Sequence, residues 1–436
     1  MSERLLINAR WVVPVEPAGA VLERHAVAVN DGRIEAIAPA GEAAQRFVGY
    51  ERIELPGHAL IPGLVNAHTH AAMALMRGLA DDLPLMRWLQ EHIWPAEAKH
   101  VSAAFVRDGA LLACAEMLRG GITCMNDMYF FPEASLEAAL QAGMRAAHGL
   151  IVLEFPSAYA SDPASYLAQG LSLRDRWRDH PRVSFCLAPH APYTVSDATF
   201  LRVAQLAAEL ELPVHVHVHE TVDEVARSVA EHGERPLARL ARLGLLGPGL
   251  ISVHSVHLTP GEIELLGRHR SSVAHCPSSN LKLASGIAPV AQLLAAGVNV
   301  ALGTDGAASN NRLDLMEEMR LAALLAKAAS GDAEAMPAHA ALRAATLGGA
   351  VAIGAESRIG SIVPGKAADL VAVALDDIGL QPVYDVASHL VYACGREHVS
   401  DVWVAGERVV RDRELVRVDL ADLQARAALW HTKILN

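Results

Sequence analysis

Between about residue 59 and residue 358, strand-length apolar runs alternate with longer amphipathic runs, and eight of the short runs can be counted: 63–67, 122–128, 146–153, 183–188, 214–218, 251–256, 272–275 and 299–303. Alternation of this kind calls for a parallel sheet with crossover helices. Eight units are what a closed (β/α)₈ TIM barrel requires, and in that fold the reactive groups sit at the C-terminal ends of the strands. The amphipathic stretches carry helix punctuation: 105–118 ends at Gly120-Gly121, and 198–210 starts after Ser196, a plausible N-cap.

The two ends of the chain read differently. Short β-prone runs surround Asn30-Asp31-Gly32 near the N-terminus, and Val402-Trp403-Val404 and Arg408-Val409-Val410 flank a turn at Ala405-Gly406-Glu407 near the C-terminus. Both are hairpin signals. A few short strands bury too little apolar surface to stand alone, so the economical arrangement pairs both ends into one small β-sandwich. The expected organisation is α/β: sandwich from 1–58 and 359–436, with the barrel inserted at 59–358.

Charge narrows the function. The 49 acidic residues outnumber the 37 basic ones, for a net charge of −12, and Lys and Arg form no block, so no nucleic-acid partner is expected. The five cysteines are scattered without a Cys-x-x-Cys pair, which suits a reduced compartment. With no long apolar segment for a membrane, the chain reads as soluble and cytoplasmic.

The barrel reading gives meaning to a scattered set of residues. His68 and His70 follow the apolar run 59–65; on an extended chain they face the same side. His217, His254 and Asp305 each end a strand-like run of their own. Three imidazoles and a carboxylate suit one divalent metal ion, most readily Zn²⁺, with His68, His70, His217 and Asp305 as ligands. Any lone histidine among the 21 is more often a core or surface residue; it is their order on successive strand ends that matters. His215 is expected deeper in the barrel in a hydrogen-bonded structural role, and His219 at the rim. Glu220 reads either as the acidic residue of a helix start or as a proton-transfer group beside the metal.

The motifs then resemble a known family. Pro62-Gly63-Leu64-Val65-Asn66-Ala67-His68-Thr69-His70, His217-x-x-Glu220, His254, Leu302-Gly303-Thr304-Asp305-Gly306 and the return segment Pro364-Gly365-Lys366-Ala367-Ala368-Asp369-Leu370 together resemble the amidohydrolase superfamily. Met125-Asn126-Asp127-Met128-Tyr129-Phe130, Pro189-His190-Ala191-Pro192-Tyr193 and Ser279-Asn280-Leu281-Lys282-Leu283 resemble its methylthioadenosine/S-adenosylhomocysteine deaminase branch, grouped with triazine hydrolases. Some binuclear relatives carry a bridging lysine after strand four; the segment Cys186-Leu187-Ala188-Pro189-His190 has none, which favours a single metal.

The resemblance implies hydrolytic deamination at C6 of an adenine ring: Asp305 accepts the proton of the attacking water, Glu220 protonates the neighbouring ring nitrogen and His254 steadies the attacking oxygen. It also implies that Glu97 binds the ribose hydroxyls, that His190 contacts substrate, and that the protein is a homo-oligomer, a dimer, acting on a small-molecule nucleoside. Without it, Glu97 is a solvated helix-start residue and His190 a loop histidine. Family members that take S-adenosylhomocysteine hold its carboxylate with arginines around strand three, whereas residues 146–173 contain no Lys or Arg and Leu150 stands where the first would align. A carboxylate buried without a cation is costly. Phe155 and Tyr159 suit an apolar methylthio group instead, so 5′-methylthioadenosine is the expected substrate, with S-adenosylhomocysteine or adenosine poorer. The alternatives are a deaminase or chlorohydrolase of a free purine or triazine base, and a non-catalytic scaffold of the same fold.

Overall fold

The computed structural model describes residues 4–436. Two eight-stranded sheets organise it. The first runs in chain order: β5 (Leu64–Thr69), β6 (Ile122–Met128), β7 (Arg145–Val152), β8 (Val183–Pro189), β9 (Val214–Val218), β10 (Leu250–His254), β11 (Ser272–His275) and β12 (Asn299–Leu302), every neighbour parallel. Its residues are buried almost throughout, as expected of strands covered by helices on one side and packed against each other on the other. The ring nearly closes where the chain beyond β12 returns to β5, with Asp305 N–H donating to His68 O (3.1 Å).

Local chemistry sets the crossovers. Ser102 Oγ accepts Phe105 N–H (3.3 Å) to start the helix Ala103–Arg119, and Gly121, at φ +84°, turns the chain into β6. Ser196 likewise caps Asp197–Leu210. Most expected strands match to within a residue or two. The clearest difference is β10, which stops at His254 and not at residue 256, because His254 and Ser255 both adopt left-handed φ (68° and 51°) and cannot continue the ladder.

The second sheet has the order β16-β15-β14-β13-β4-β1-β2-β3, from β1 (Arg4–Val12), β2 (Leu22–Asn30), β3 (Arg33–Pro39), β4 (Glu51–Pro62), β13 (Leu370–Ala374), β14 (Val399–Val404), β15 (Glu407–Arg411) and β16 (Glu414–Leu415). Strands from the two ends meet at β4 and β13, where Ile61 pairs with Val371. The sheet folds across one core, so that Ile34 on β3 and Trp403 on β14 belong to the same cluster as Ile7 and Leu370. The two predicted hairpin turns also touch: a Cβ on Gly32 would stand 2.5 Å from Ala405 O, which leaves room only for glycine.

One residue, Gly63, separates β4 from β5, so the terminal sheet leads directly into the barrel strand that carries His68. Below the barrel, Arg145 at the start of β7 is locked to Asp369 (2.9 and 3.1 Å) and to Pro181 O. Among the described residues, no helix is long and apolar enough to cross a membrane.

Candidate metal centre and its cavity

The strand ends bring the predicted residues together. His68 Nε2 lies 3.2 Å from Asp305 Oδ1 and 3.2 Å from His217 Nε2, and His70 Nε2 lies 3.3 Å from the same Asp305 oxygen. Donors held about 2.0–2.1 Å from one tetrahedral centre stand roughly 3.3–3.4 Å apart, so the spacing fits a single ion. His254 belongs to the same cluster, its ring atoms grouped with those of His68 and His217.

Each imidazole is oriented by its far nitrogen, which is how a ligating histidine is usually fixed. His70 Nδ1–H donates to Met128 O (2.6 Å) and His217 Nδ1–H to His190 O (2.6 Å), leaving both Nε2 lone pairs facing the centre. His68 Nδ1 is 2.8 Å from His215 Nε2; His215 thus holds the deeper hydrogen-bonded place expected of it. Burial pushes the pKa of His68 down to about 4 and that of His217 well below the usual range, so both keep a free lone pair.

The carboxylates differ according to their partners. Asp305 is buried, which by itself opposes its charge, but its hydrogen bond to His68 and the neighbouring imidazoles hold it well below the usual carboxylate range. Ser279 Oγ and Ser309 Oγ both donate to its Oδ2 (2.6 and 2.8 Å), leaving Oδ1 toward the histidines. Glu220 has no such support: burial raises its pKa, with the His254 charge only partly opposing this. His254 moves the other way. Burial lowers its pKa, but Glu220, Asp305 and the Asn280 Oδ1 that accepts its Nδ1–H (2.8 Å) outweigh that and raise it. Glu220 Oε2 and His254 Nε2, whose pKa values are both shifted upward, stand 3.8 Å apart beside the cluster.

Above the cluster is a cavity of about 370 Å³, lined by His70, His190, His217, Glu220, His254 and Asp305 at its floor and by Trp88, Leu89, Trp94, Ile151, Leu153 and Phe155 higher up. Glu97 also lines it, half-buried, accepting a hydrogen bond from Tyr129 Oη (2.7 Å); desolvation pushes its pKa up to about 7. It lies in the first turn of the helix Trp94–His100 and borders the cavity from there. No Lys or Arg lines the cavity.

Three expectations need correction. His219 is fully buried, not at the rim: its backbone turns left-handed (φ 58°) and its Nε2 accepts Leu237 N–H (3.1 Å). Leu150 lies against Gly170 of the helix Pro163–Trp177 and not against the cavity, which the next residue, Ile151, lines instead. Tyr159 packs edge-on against Phe131 and at a tilt against Tyr166, outside the cavity. Sequence reasoning missed Ser279, Ser309, Asn280 and Tyr129 as partners of the central residues, although Ser279, Asn280 and Tyr129 lie in motifs it had marked. It also missed the carbonyls of Met128 and His190, for which no side-chain signal exists.

Comparison with known proteins gives this geometry its context. A relative in Teredinibacter turnerae called 5-methylthioadenosine/S-adenosylhomocysteine deaminase is 48% identical over 98% of this chain and 97% of its own. The crystal structure of an adenosine deaminase from Xanthomonas campestris with bound zinc superposes with a TM-score of 0.98 at 54% identity, covering 99% of both chains. An atrazine chlorohydrolase from Arthrobacter aurescens, complexed with zinc, reaches 0.91 at 25% identity over 98% of this chain and all of that one. The Amidohydrolase family model matches residues 59–409, the barrel together with the returning strands, and the chain belongs to that family.

Proposed function

We propose that the protein is a zinc-dependent aminohydrolase that converts 5′-methylthioadenosine to 5′-methylthioinosine and ammonia, with S-adenosylhomocysteine and adenosine as poorer substrates. The observation that carries this reading is the convergence of His68, His70, His217 and Asp305 beneath a cavity that also holds Glu220, whose pKa burial raises, and that no lysine or arginine lines. The names of the relatives and the zinc of the Xanthomonas campestris structure support it.

His68, His70, His217 and Asp305 would hold the ion, which supplies Lewis-acid activation of water near neutral pH. Asp305, ionised and fixed by two serines, would take the proton released when water adds to C6 and return it to the amine, which leaves as ammonia when the C6–N bond breaks. Glu220 enters the reaction protonated and delivers its proton to the adjacent ring nitrogen, while His254, kept in place by Asn280, donates to the attacking oxygen as charge develops there. Glu97, steadied by Tyr129, accepts from the ribose hydroxyls, and His190 borders the base. Trp94 and Phe155 offer the methylthio group an apolar wall. Arg145 cannot reach a substrate carboxylate from below the barrel, because Asp369 holds it.

The rest of the reading is a cytoplasmic homodimer that acts on a free nucleoside and engages neither nucleic acid nor membrane, which the net charge of −12 supports. A triazine or free-base hydrolase remains the rival, since the atrazine chlorohydrolase shares the fold. The hydrogen-bonded Glu97–Tyr129 pair favours a substrate with hydroxyls to donate. A non-catalytic scaffold has no need of the intact cluster. The deciding experiment follows adenine absorbance and product mass with zinc-replete enzyme on methylthioadenosine, S-adenosylhomocysteine, adenosine, guanine and a chlorotriazine. Turnover ranked with methylthioadenosine first is expected; turnover of a base or triazine with every nucleoside inert overturns the proposal.

A further inference from the structure

The chain uses a Thr-x-x-Glu helix start twice, and the two copies behave differently. Before the helix Pro260–His269 the exchange is reciprocal: Thr259 Oγ1 accepts Glu262 N–H (3.3 Å) and Glu262 Oε2 accepts Thr259 N–H (2.7 Å). Before the helix Val222–His232, Thr221 Oγ1 accepts Glu224 N–H (3.2 Å), but the Glu224 carboxylate does not return the bond to Thr221. It reaches further back, Oε1 accepting His219 N–H (2.9 Å) and Oε2 accepting Glu220 N–H (2.7 Å).

Those two N–H groups belong to the turn by which the chain leaves β9, and both are buried. Left unpaired, each would carry the desolvation cost of a lost hydrogen bond. The turn is also strained, with His219 in the left-handed region at a cost of order 1 kcal/mol or more. Among the described residues no hydrogen bond holds the carboxyl of Glu220, and its nearest charged neighbour, His254 Nε2, is 3.8 Å away. Where that carboxyl points therefore depends on how its backbone is anchored.

We propose that Glu224 is a positioning residue, whose carboxylate fixes the strand-end turn so that Glu220 presents its proton to the substrate ring; this rests on the reading of Glu220 as proton donor. Its partner in holding the turn is Leu237 N–H, which anchors the His219 ring. A displacement of about 1 Å at a proton donor can cost on the order of 10²-fold in rate.

The test uses zinc-replete enzyme with methylthioadenosine. Glu224→Ala is expected to lower kcat roughly ten- to hundredfold while KM and zinc content change little, and Glu224→Gln to fall between it and the parent, because an amide oxygen can still accept one of the two bonds. If the alanine variant does not fold, the glutamine variant carries the test. Asp162→Ala, which removes the exposed cap of the helix Pro163–Trp177, is the stability control and should leave kcat unchanged. In a Glu220→Gln background Glu224→Gln should cost nothing further, since its effect runs through Glu220. Parental kcat in both Glu224 variants, or a loss that multiplies with that of Glu220→Gln, overturns the inference alone. Parental kcat in Glu220→Gln overturns the reading of Glu220 and the inference with it.

Discussion

The floor and the upper wall of the cavity are built on different principles. At the floor every central side chain except Glu220 is held by named hydrogen bonds: His70 by Met128 O, His217 by His190 O, His254 by Asn280, and Asp305 by two serines and the Gly306 N–H. Higher up, Trp88, Leu89 and Phe155 are placed by packing, and Phe155 is 41% exposed. Preorganised polar groups stabilise developing charge because they need not reorganise during the reaction, whereas a packed apolar wall can change composition without disturbing them. The floor thus sets the reaction, and the wall sets the choice of substrate.

If that division holds, changes at the floor should be by far the most damaging. Asp305→Asn removes a ligand and a base together, so kcat should fall on the order of 10³-fold or more, with zinc content falling too. Chelation should abolish activity and added zinc restore it. Glu220→Gln should lower kcat roughly 10²–10⁴-fold while zinc stays bound, because a proton donor and not a ligand is lost. Metal analysis alongside kinetics separates the two; loss of zinc from the Glu220 variant would mean that this residue belongs to the ion and not to the substrate.

The same division explains what the sequence could and could not disclose. Barrel strands announce themselves as apolar runs between helical ones, and a histidine or aspartate ending such a run stands out, so His68, His70, His217, His254 and Asp305 were all legible. Which way the next residue turns was not. His219 follows β9 in register with His215 and His217, yet a single left-handed φ buries its ring beside Leu237. Leu150 and Ile151 differ by one step along β7, and one step exchanges the helix face for the cavity. Glu224 was hidden by its own motif, since Thr-x-x-Glu reads as an ordinary cap whatever the carboxylate finally grips. Pairings such as Tyr129 with Glu97, or Ser309 with Asp305, depend on how the ring closes and leave no local signature.

The wall predicts smaller effects. With three carboxyl groups and no lysine or arginine around the cavity, kcat/KM for S-adenosylhomocysteine should lie at least about tenfold below that for methylthioadenosine, because the amino-acid carboxylate finds no partner on the wall. Equal values would sink the selectivity argument. Phe155→Arg should narrow the gap only modestly: a charge pair at so exposed a position contributes about 0.2–1 kcal/mol, a factor of roughly 1.5 to 5. A larger gain would indicate that substrate shields the wall from solvent.

Glu97 lies where floor and wall meet, and its titration gives the mildest test. Burial raises its pKa to about 7, so the carboxyl is neutral below that pH and ionised above it. Hydroxyl donors bond more strongly to the ionised form, and the nucleoside KM should therefore rise a few-fold as pH falls through about 7, with Glu97→Gln lacking this dependence. Stability should move in the opposite sense. Because the folded pKa lies above the unfolded value of 4.5, the folded state retains the proton that the unfolded chain gives up. Stability due to this group is thus full below about 4.5 and is lost as pH rises toward 7. Substrate-free Glu97→Gln should accordingly gain Tm relative to the parent at pH 8 but not at pH 5. A parallel shift at both would show that Tyr129 and its surroundings, and not the charge of Glu97, set the difference.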